Sequence, residues 1–220
     1  HCWDENKLNF KAGETRPPRE CPSASAAGAA GATVLTIGWI GIVRCKRTLA
    51  LLKALALARP KDIRVRIAGR VSYFLIEDFD EQIAGIANIE VAGVYDWPDG
   101  LASAYRGVDI VFAQELSWKG ANSDWLIPNR VYEASYFGVP SLSVGDTETS
   151  RVVRERALGF TLPDDSPQTL VEFFDRLDRA ELCAVRKRLL ETPAAAFVSD
   201  TGDITNLLGA IRAARRGAPE

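Results

Sequence analysis

Arg130 and Glu133 stand three residues apart within the stretch 122–140, NSDWLIPNRVYEASYFGVP, a spacing that puts both on one face of a short helix. A cation and a carboxylate held side by side at the edge of a sheet would form a ligand clamp. The same pair on an ordinary helix is a surface ion pair, and the local sequence allows both readings. Pro128 suits a helix start, with Asn129 as its cap or first residue. Gly138 suits its stop, and Val131, Ala134 and Ser135 share a face that can pack on a sheet.

Four other groups could meet a ligand. Arg44, Lys46 and Arg47 fall in the first turn of a helix expected over 44–58. Cations there oppose the helix dipole by a few tenths to about 1 kcal/mol each. An anion such as a diphosphate among them would offset that cost; the alternative is a basic, solvated helix start. In the preceding GWIG segment, Gly38 and Gly41 permit close backbone approach, although the spacing is not the GxGxxG fingerprint of dinucleotide binding. Gly69-Arg70 follows the strand-like run IRVRIA, either for close approach or as a plain turn. The segment 114–125 holds Glu115, Lys119, Asn122, Ser123, Asp124 and two tryptophans. These groups suit sugar or base contacts, or the tryptophans pack the loop down. Finally, GDTETSR at 145–151 offers backbone N–H groups to a ligand, or Thr149 or Ser150 as a helix cap.

The elements that must position these groups alternate along the chain. Strand signals cover 34–40, 63–68, 89–92, 109–113, 141–144 and 160–162. Helix signals cover 44–58, 80–87, 101–106, 150–158, 168–177, 180–190 and 204–215. Short apolar strands alternating with helices predict an α/β fold, a Rossmann-like open parallel sheet with helices on both faces. Ligands of such sheets bind at the carboxyl ends of the strands. Residues 1–32 are proline-rich and then small-residue low complexity, and read as a linker. The domain proper is expected over 33–192, with a C-terminal helix or tail over 193–220.

The 220 residues are 47% apolar and 25% charged with a net charge of −2, which points away from nucleic acid and from bulk membrane-surface binding. No apolar run approaches the roughly 18 residues of a membrane span, and the start does not read as a signal peptide. Cys2, Cys21, Cys45 and Cys183 are scattered without a CxxC pair, which argues against a zinc site or disulfide framework and for reduced thiols in the cytoplasm. No carboxylate pair has metal-ligand spacing, so no metal is expected. His1 is the only histidine and Met is absent, so the chain is expected to be a fragment of a longer protein.

The run PNRVYEASYFGVP resembles an element of the C-terminal half of GT-B glycosyltransferases (GT4-like): Glu133 is followed by Gly138 five residues on and Pro140 seven on. The family's later G-L pair falls on Gly159-Phe160, and the GWIG…R…LL pattern resembles that half's first strand and helix. The NS-x-W-L-x-P-N-R-x-Y-E segment is similar to that of bacterial exopolysaccharide glycosyltransferases. The resemblance covers about residues 33–177. It implies that 33–192 is a nucleotide-sugar-binding domain whose donor is UDP- or GDP-linked, with no further cofactor. Glu133 would contact the nucleotide ribose. Arg44 or Arg47, with Arg130 in the family's lysine position, would hold the diphosphate and stabilise its departure. Among the groups read above, Gly38, Gly41, Gly69, Arg70, Asn122, Ser123, Asn129 and Thr149 are expected to contact the same ligand. It further implies a glycan or lipid-linked acceptor, a preceding N-terminal GT-B half, and peripheral contact with the inner face of the plasma membrane. Retention of anomeric configuration is implied by family alone. Two positions depart from the pattern: Trp125, beside Asp124, stands where a glutamate is usual eight residues before Glu133, and Arg151 replaces another glutamate. Rival readings are a sugar-nucleotide epimerase of the same fold, disfavoured by the lack of an internal histidine, and a non-catalytic nucleotide-binding module.

Overall fold

The computed structural model describes residues 34–198 and the isolated positions 205, 208, 209 and 211. The expected linker over 1–32 and most of the helix expected over 204–215 lie outside the described residues; Thr205, Leu208, Gly209 and Ile211 are helical. Six parallel strands form one sheet: β1 Leu35–Ile40, β2 Ile63–Ala68, β3 Ile89–Gly93, β4 Ile110–Phe112, β5 Ser141–Val144 and β6 Gly159–Leu162. Their order is β3-β2-β1-β4-β5-β6. β1 therefore pairs with β2 on one side and β4 on the other, and the winding direction reverses between β1 and β4. That reversal leaves a crevice at the carboxyl ends of these two strands.

Residues of β1, β4 and β5 are buried along their whole length, because helices cover both faces. Their sequences, LTIGWI, IVF and SLSV, accordingly carry no charged residue. On one face, Ile37, Val65 and Phe112 pack with Leu49, Leu52 and Leu55 of α1 (Lys46–Ala58), Phe79 of α2 (Phe79–Ile83) and Leu170 of α7 (Pro167–Arg176). On the other, Ile40 and Val111 pack with Tyr105 of α3 (Leu101–Tyr105), Val131 and Ala134 of α5 (Asn129–Tyr136), Val153 of α6 (Glu148–Glu155) and Leu189 of α8 (Arg179–Glu191). Each fully buried side chain of this size contributes about 1.5–3 kcal/mol.

Three helix boundaries differ from the sequence expectation in ways that bear on function. α1 begins at Lys46 because Cys45 is its cap, with Sγ accepting the Thr48 N–H at 3.3 Å. Arg44 thus precedes the helix and is not in its first turn. α6 begins at Glu148 because the Thr147 hydroxyl caps it, accepting the Ser150 N–H at 3.2 Å. The capping role considered for Thr149 and Ser150 falls to Thr147. Helix 80–87 shortens to α2, which stops before Gly85 with its φ of +76°. An unexpected short helix, α4 (Asn122–Trp125), lies in the loop after β4. Its turn is closed locally: Ser123 Oγ accepts the Trp118 N–H and Asp124 Oδ2 accepts the Gly120 N–H, both at 2.9 Å.

Candidate functional site

A cleft of about 600 Å³ opens at the carboxyl ends of β1 to β4, where the winding reverses. β1 delivers Gly41, Ile42 and Arg44, and β2 delivers Gly69 and Arg70. β3 delivers Val94, Tyr95 and Trp97, β4 delivers Glu115, and α5 with its entry delivers Leu126 to Arg130 and Glu133. The floor is tight where the first two loops meet. A Cβ on Gly69, whose φ is +133°, would lie 1.8 Å from the Gly41 carbonyl oxygen. No side chain fits there, and the two loops touch backbone to backbone.

α5 carries the central charges. Val131 and Ala134 are fully buried against the sheet, and this docking carries Arg130 down with them, 8% exposed. Its nearest carboxylate is Glu115, with Nη2 3.9 Å from Oε2, and its Nη1 is buried with no hydrogen-bond partner among the described residues. Burial pulls the Arg130 pKa down, against the pull of Glu115 and Glu133. A guanidinium that is desolvated and incompletely paired is costly. An anion in the cleft beside this guanidinium would offset part of that cost.

The two cleft carboxylates sit in contrasting surroundings. Burial acts to raise the Glu115 pKa, yet the Ser117 hydroxyl and N–H, Arg130 and Arg44 together hold it below the ordinary value. Its Oε1 accepts the Ser117 N–H at 2.9 Å, and its Oε2 lies 3.4 Å from Arg44 Nε. Glu133 goes the other way. Burial raises its pKa, against hydrogen bonds from Trp97 and Tyr105 and the charge of Arg130. Its Oε1 accepts from Trp97 Nε1 at 3.3 Å and its Oε2 accepts from the Tyr105 hydroxyl at 3.1 Å. Neighbouring Tyr95 is pushed up to about 12 by burial and then by Glu133. Arg44 also lies over the Trp118 ring, 5.4 Å from its centroid. Three arginines, Arg44, Arg70 and Arg130, face two carboxylates, so the cleft carries a net positive charge.

Of the residues singled out from sequence, Gly41, Arg44, Gly69, Arg70, Glu115, Asn129, Arg130 and Glu133 line this cleft. The others do not. Gly38 lies within β1, where a Cβ would meet Val108 at 2.7 Å, so its small size serves packing. Arg47 turns to the buried Asp165, which also binds Lys119 Nζ at 2.9 Å. Asn122 and Ser123 belong to α4, and Ser123 is committed to the Trp118 N–H. Thr149 is buried and donates to the Leu126 carbonyl at 2.8 Å, fixing the loop that enters α5 rather than meeting the cleft. Asp124 and Trp125 do not line the cleft, and Arg151 pairs with Glu148 and Glu155 on the surface. Tyr95, Trp97 and Tyr105 were missed. The first two follow β3 and were findable by the strand-end rule; Tyr105 carries no local signal. Among the described residues, no group of three or more His, Cys, Asp or Glu side chains gathers as a metal site. Nor is any helix there long and apolar enough to cross a membrane.

No family model matches the chain. It is 28% identical over 184 residues to the succinoglycan biosynthesis protein ExoL of Rhizobium meliloti (strain 1021), covering 84% of this chain and 46% of that protein. The chain thus spans about half the length of that relative. Among solved structures, Anabaena Alr3699/HepE in complex with UDP and glucose superposes with a TM-score of 0.56 at 13% identity, over 82% of this chain and 48% of that one. The C-terminal domain of the glycosyl transferase group 1 family protein LpcC from Francisella tularensis superposes at 0.53 and 16% identity, over 78% of this chain and 89% of that domain. A putative UDP-N-acetylglucosamine 2-epimerase from Listeria monocytogenes shares the fold at 0.50 and 16% identity, over 86% of this chain and 46% of that one. The chain therefore has the fold of one Rossmann-like half of a GT-B glycosyltransferase. Its counterpart in LpcC is the C-terminal half.

Proposed function

We propose that this chain is the donor-binding half of a glycosyltransferase of exopolysaccharide assembly, taking a UDP- or GDP-linked sugar and passing the sugar to a polysaccharide or lipid-linked acceptor. The observation that carries this reading is Arg130: a buried, incompletely paired guanidinium that lines a net-positive cleft at the switch point of the sheet. Arg130, Arg44 and Arg70 would hold the diphosphate, with Glu115 keeping Arg44 in place. As the bond to the sugar breaks, negative charge grows on the diphosphate, and fixed cations in a partly dry site stabilise that charge more than they stabilise the intact donor. Glu133, three residues along α5 from Arg130, suits the ribose hydroxyls, from which a carboxylate accepts well. The exopolysaccharide name of the ExoL relative supports the choice of transferase over epimerase, since the fold is common to both. A preceding polypeptide half would bind the acceptor, and the work would take place at the cytoplasmic face of the membrane.

The test is product formation by the intact protein from labelled UDP- and GDP-sugars with a membrane-extract acceptor. Transfer of label to a glycan, abolished in Arg130→Met, is the expected result. Interconversion of the sugar nucleotide without transfer would replace this reading with the epimerase.

A further inference from the structure

Glu133 is held at both oxygens. On one side stands Tyr105, fully buried, its ring stacked on Phe137 at 5.5 Å and 20°. Phe137 ends the helix that carries Glu133, so the tyrosine is fixed relative to the carboxylate by shared packing. Its hydroxyl donates to Oε2 at 3.1 Å. On the other side Trp97, half-exposed at the mouth of the cleft, donates its indole N–H to Oε1 at 3.3 Å. Neither donor carries charge. The pair therefore fixes the plane of the carboxylate without neutralising it, and each oxygen keeps a further lone pair for a ligand. The charged group facing it is Arg130 on its own helix, and the titratable, neutral hydroxyl of Tyr95 lies near it.

We infer that Tyr105 and Trp97 are positioning residues, which hold the Glu133 carboxylate in one plane to receive both hydroxyls of the ribose diol of a bound nucleoside diphosphate. This rests on the donor-binding reading above. A carboxylate free to rotate about its terminal torsion would lose orientational freedom on binding a diol; one already held loses less, and binds more tightly for it. Tyr105 could instead be present only to satisfy its buried hydroxyl. The two roles separate experimentally.

The probes are UDP, GDP and their dideoxyribose counterparts, titrated calorimetrically into the intact protein. Tyr105→Phe keeps the ring and its stacking while deleting one donor to a charged acceptor. It should weaken the preferred diphosphate about tenfold. It should leave the dideoxy counterpart unchanged and add nothing in a Glu133→Gln background. Equal weakening of both probes, or an additive effect with Glu133→Gln, would overturn the inference. A ligand-free measurement guards against failure of the underlying reading: carbon-detected NMR titration of the Glu133 carboxyl. Each donor favours the charged carboxylate. Tyr105→Phe and Trp97→Phe should therefore each move its midpoint upward, and an unmoved midpoint would show that no clamp exists. If neither UDP nor GDP binds the parent protein, the donor reading fails, while the NMR result still decides the clamp.

Discussion

Two buried arginines lie at opposite edges of the same sheet, and the fold treats them differently. Arg186 on α8 sits beneath the amino ends of β1 and β4. Its Nη2 is 2.6 Å from Asp109 Oδ1 and 3.4 Å from the Val108 carbonyl, while Asp109 Oδ2 accepts the Thr36 N–H at 2.8 Å. Arg186 leaves its Nε unpaired but is otherwise locked, and the network ties helix, strand and strand together. At the carboxyl edge, Arg130 has no carboxylate nearer than 3.9 Å. Both guanidiniums bear the cost of desolvation. One is closely paired inside the fold; the other is only partly compensated there, by carboxylates at longer range. The difference separates a residue that stabilises the structure from one that the structure holds ready.

The sharpest way to break this comparison is to swap the expected phenotypes. Asp109→Ala should strand the Arg186 charge and lower unfolding free energy by about 3–5 kcal/mol in chemical denaturation. Arg130→Met should do the opposite. Stability should change by less than about 1 kcal/mol, because an apolar side chain of similar volume replaces an underpaired charge. Binding of the preferred nucleoside diphosphate should fall about tenfold to hundredfold, the worth of hydrogen bonds to a charged group. If Arg130→Met unfolds the protein as Asp109→Ala does, the two arginines are both structural.

The cleft carboxylates sharpen the same contrast through pH. The Glu133 pKa is raised in the fold, so the folded protein binds that proton more readily than the unfolded chain. Stability is then lost as pH rises from the ordinary glutamate range through the folded value. Glu133→Gln should therefore stabilise the protein at neutral pH, with the gain shrinking as pH falls through the carboxylate range. The Glu115 pKa is lowered, and the sign reverses: its contribution is full above the ordinary glutamate range and is lost as pH falls through the depressed value. Glu115→Gln should destabilise at neutral pH and less so in acid. Melting temperature measured between pH 4 and 8 checks both signs. A modest effect on stability alone is expected at Thr149→Val, which frees the loop before α5 and should cost about 1 kcal/mol.

The sheet was legible in the sequence for a physical reason. Strands such as β1 and β5 are short uncharged runs closed by glycine, and burial on both faces keeps charged residues out of them. Arg130 and Glu133 were legible as a pair because helical spacing is local. What stayed hidden was non-local or chemically quiet. A cysteine is a weak acceptor and does not announce a cap, so α1 was expected two residues too early, with Arg44 inside it. Arg47 reads as a phosphate ligand until Asp165, more than a hundred positions later, is seen beside it. Tyr105 meets Glu133 across 28 positions and a helix packing that no local pattern encodes. The burial of Arg130 follows from how α5 lies on the sheet, and a charged residue in an amphipathic pattern ordinarily reads as solvated.

The central claim is that Arg130 is held for a diphosphate. Calorimetric titration of the intact protein with UDP and GDP, beside Arg130→Met, tests it most directly. Saturable binding of one of them, lost in the variant while its denaturation midpoint stays at the parent value, is the predicted result. Equal affinity of the parent and the variant, or no binding by the parent, would contradict it.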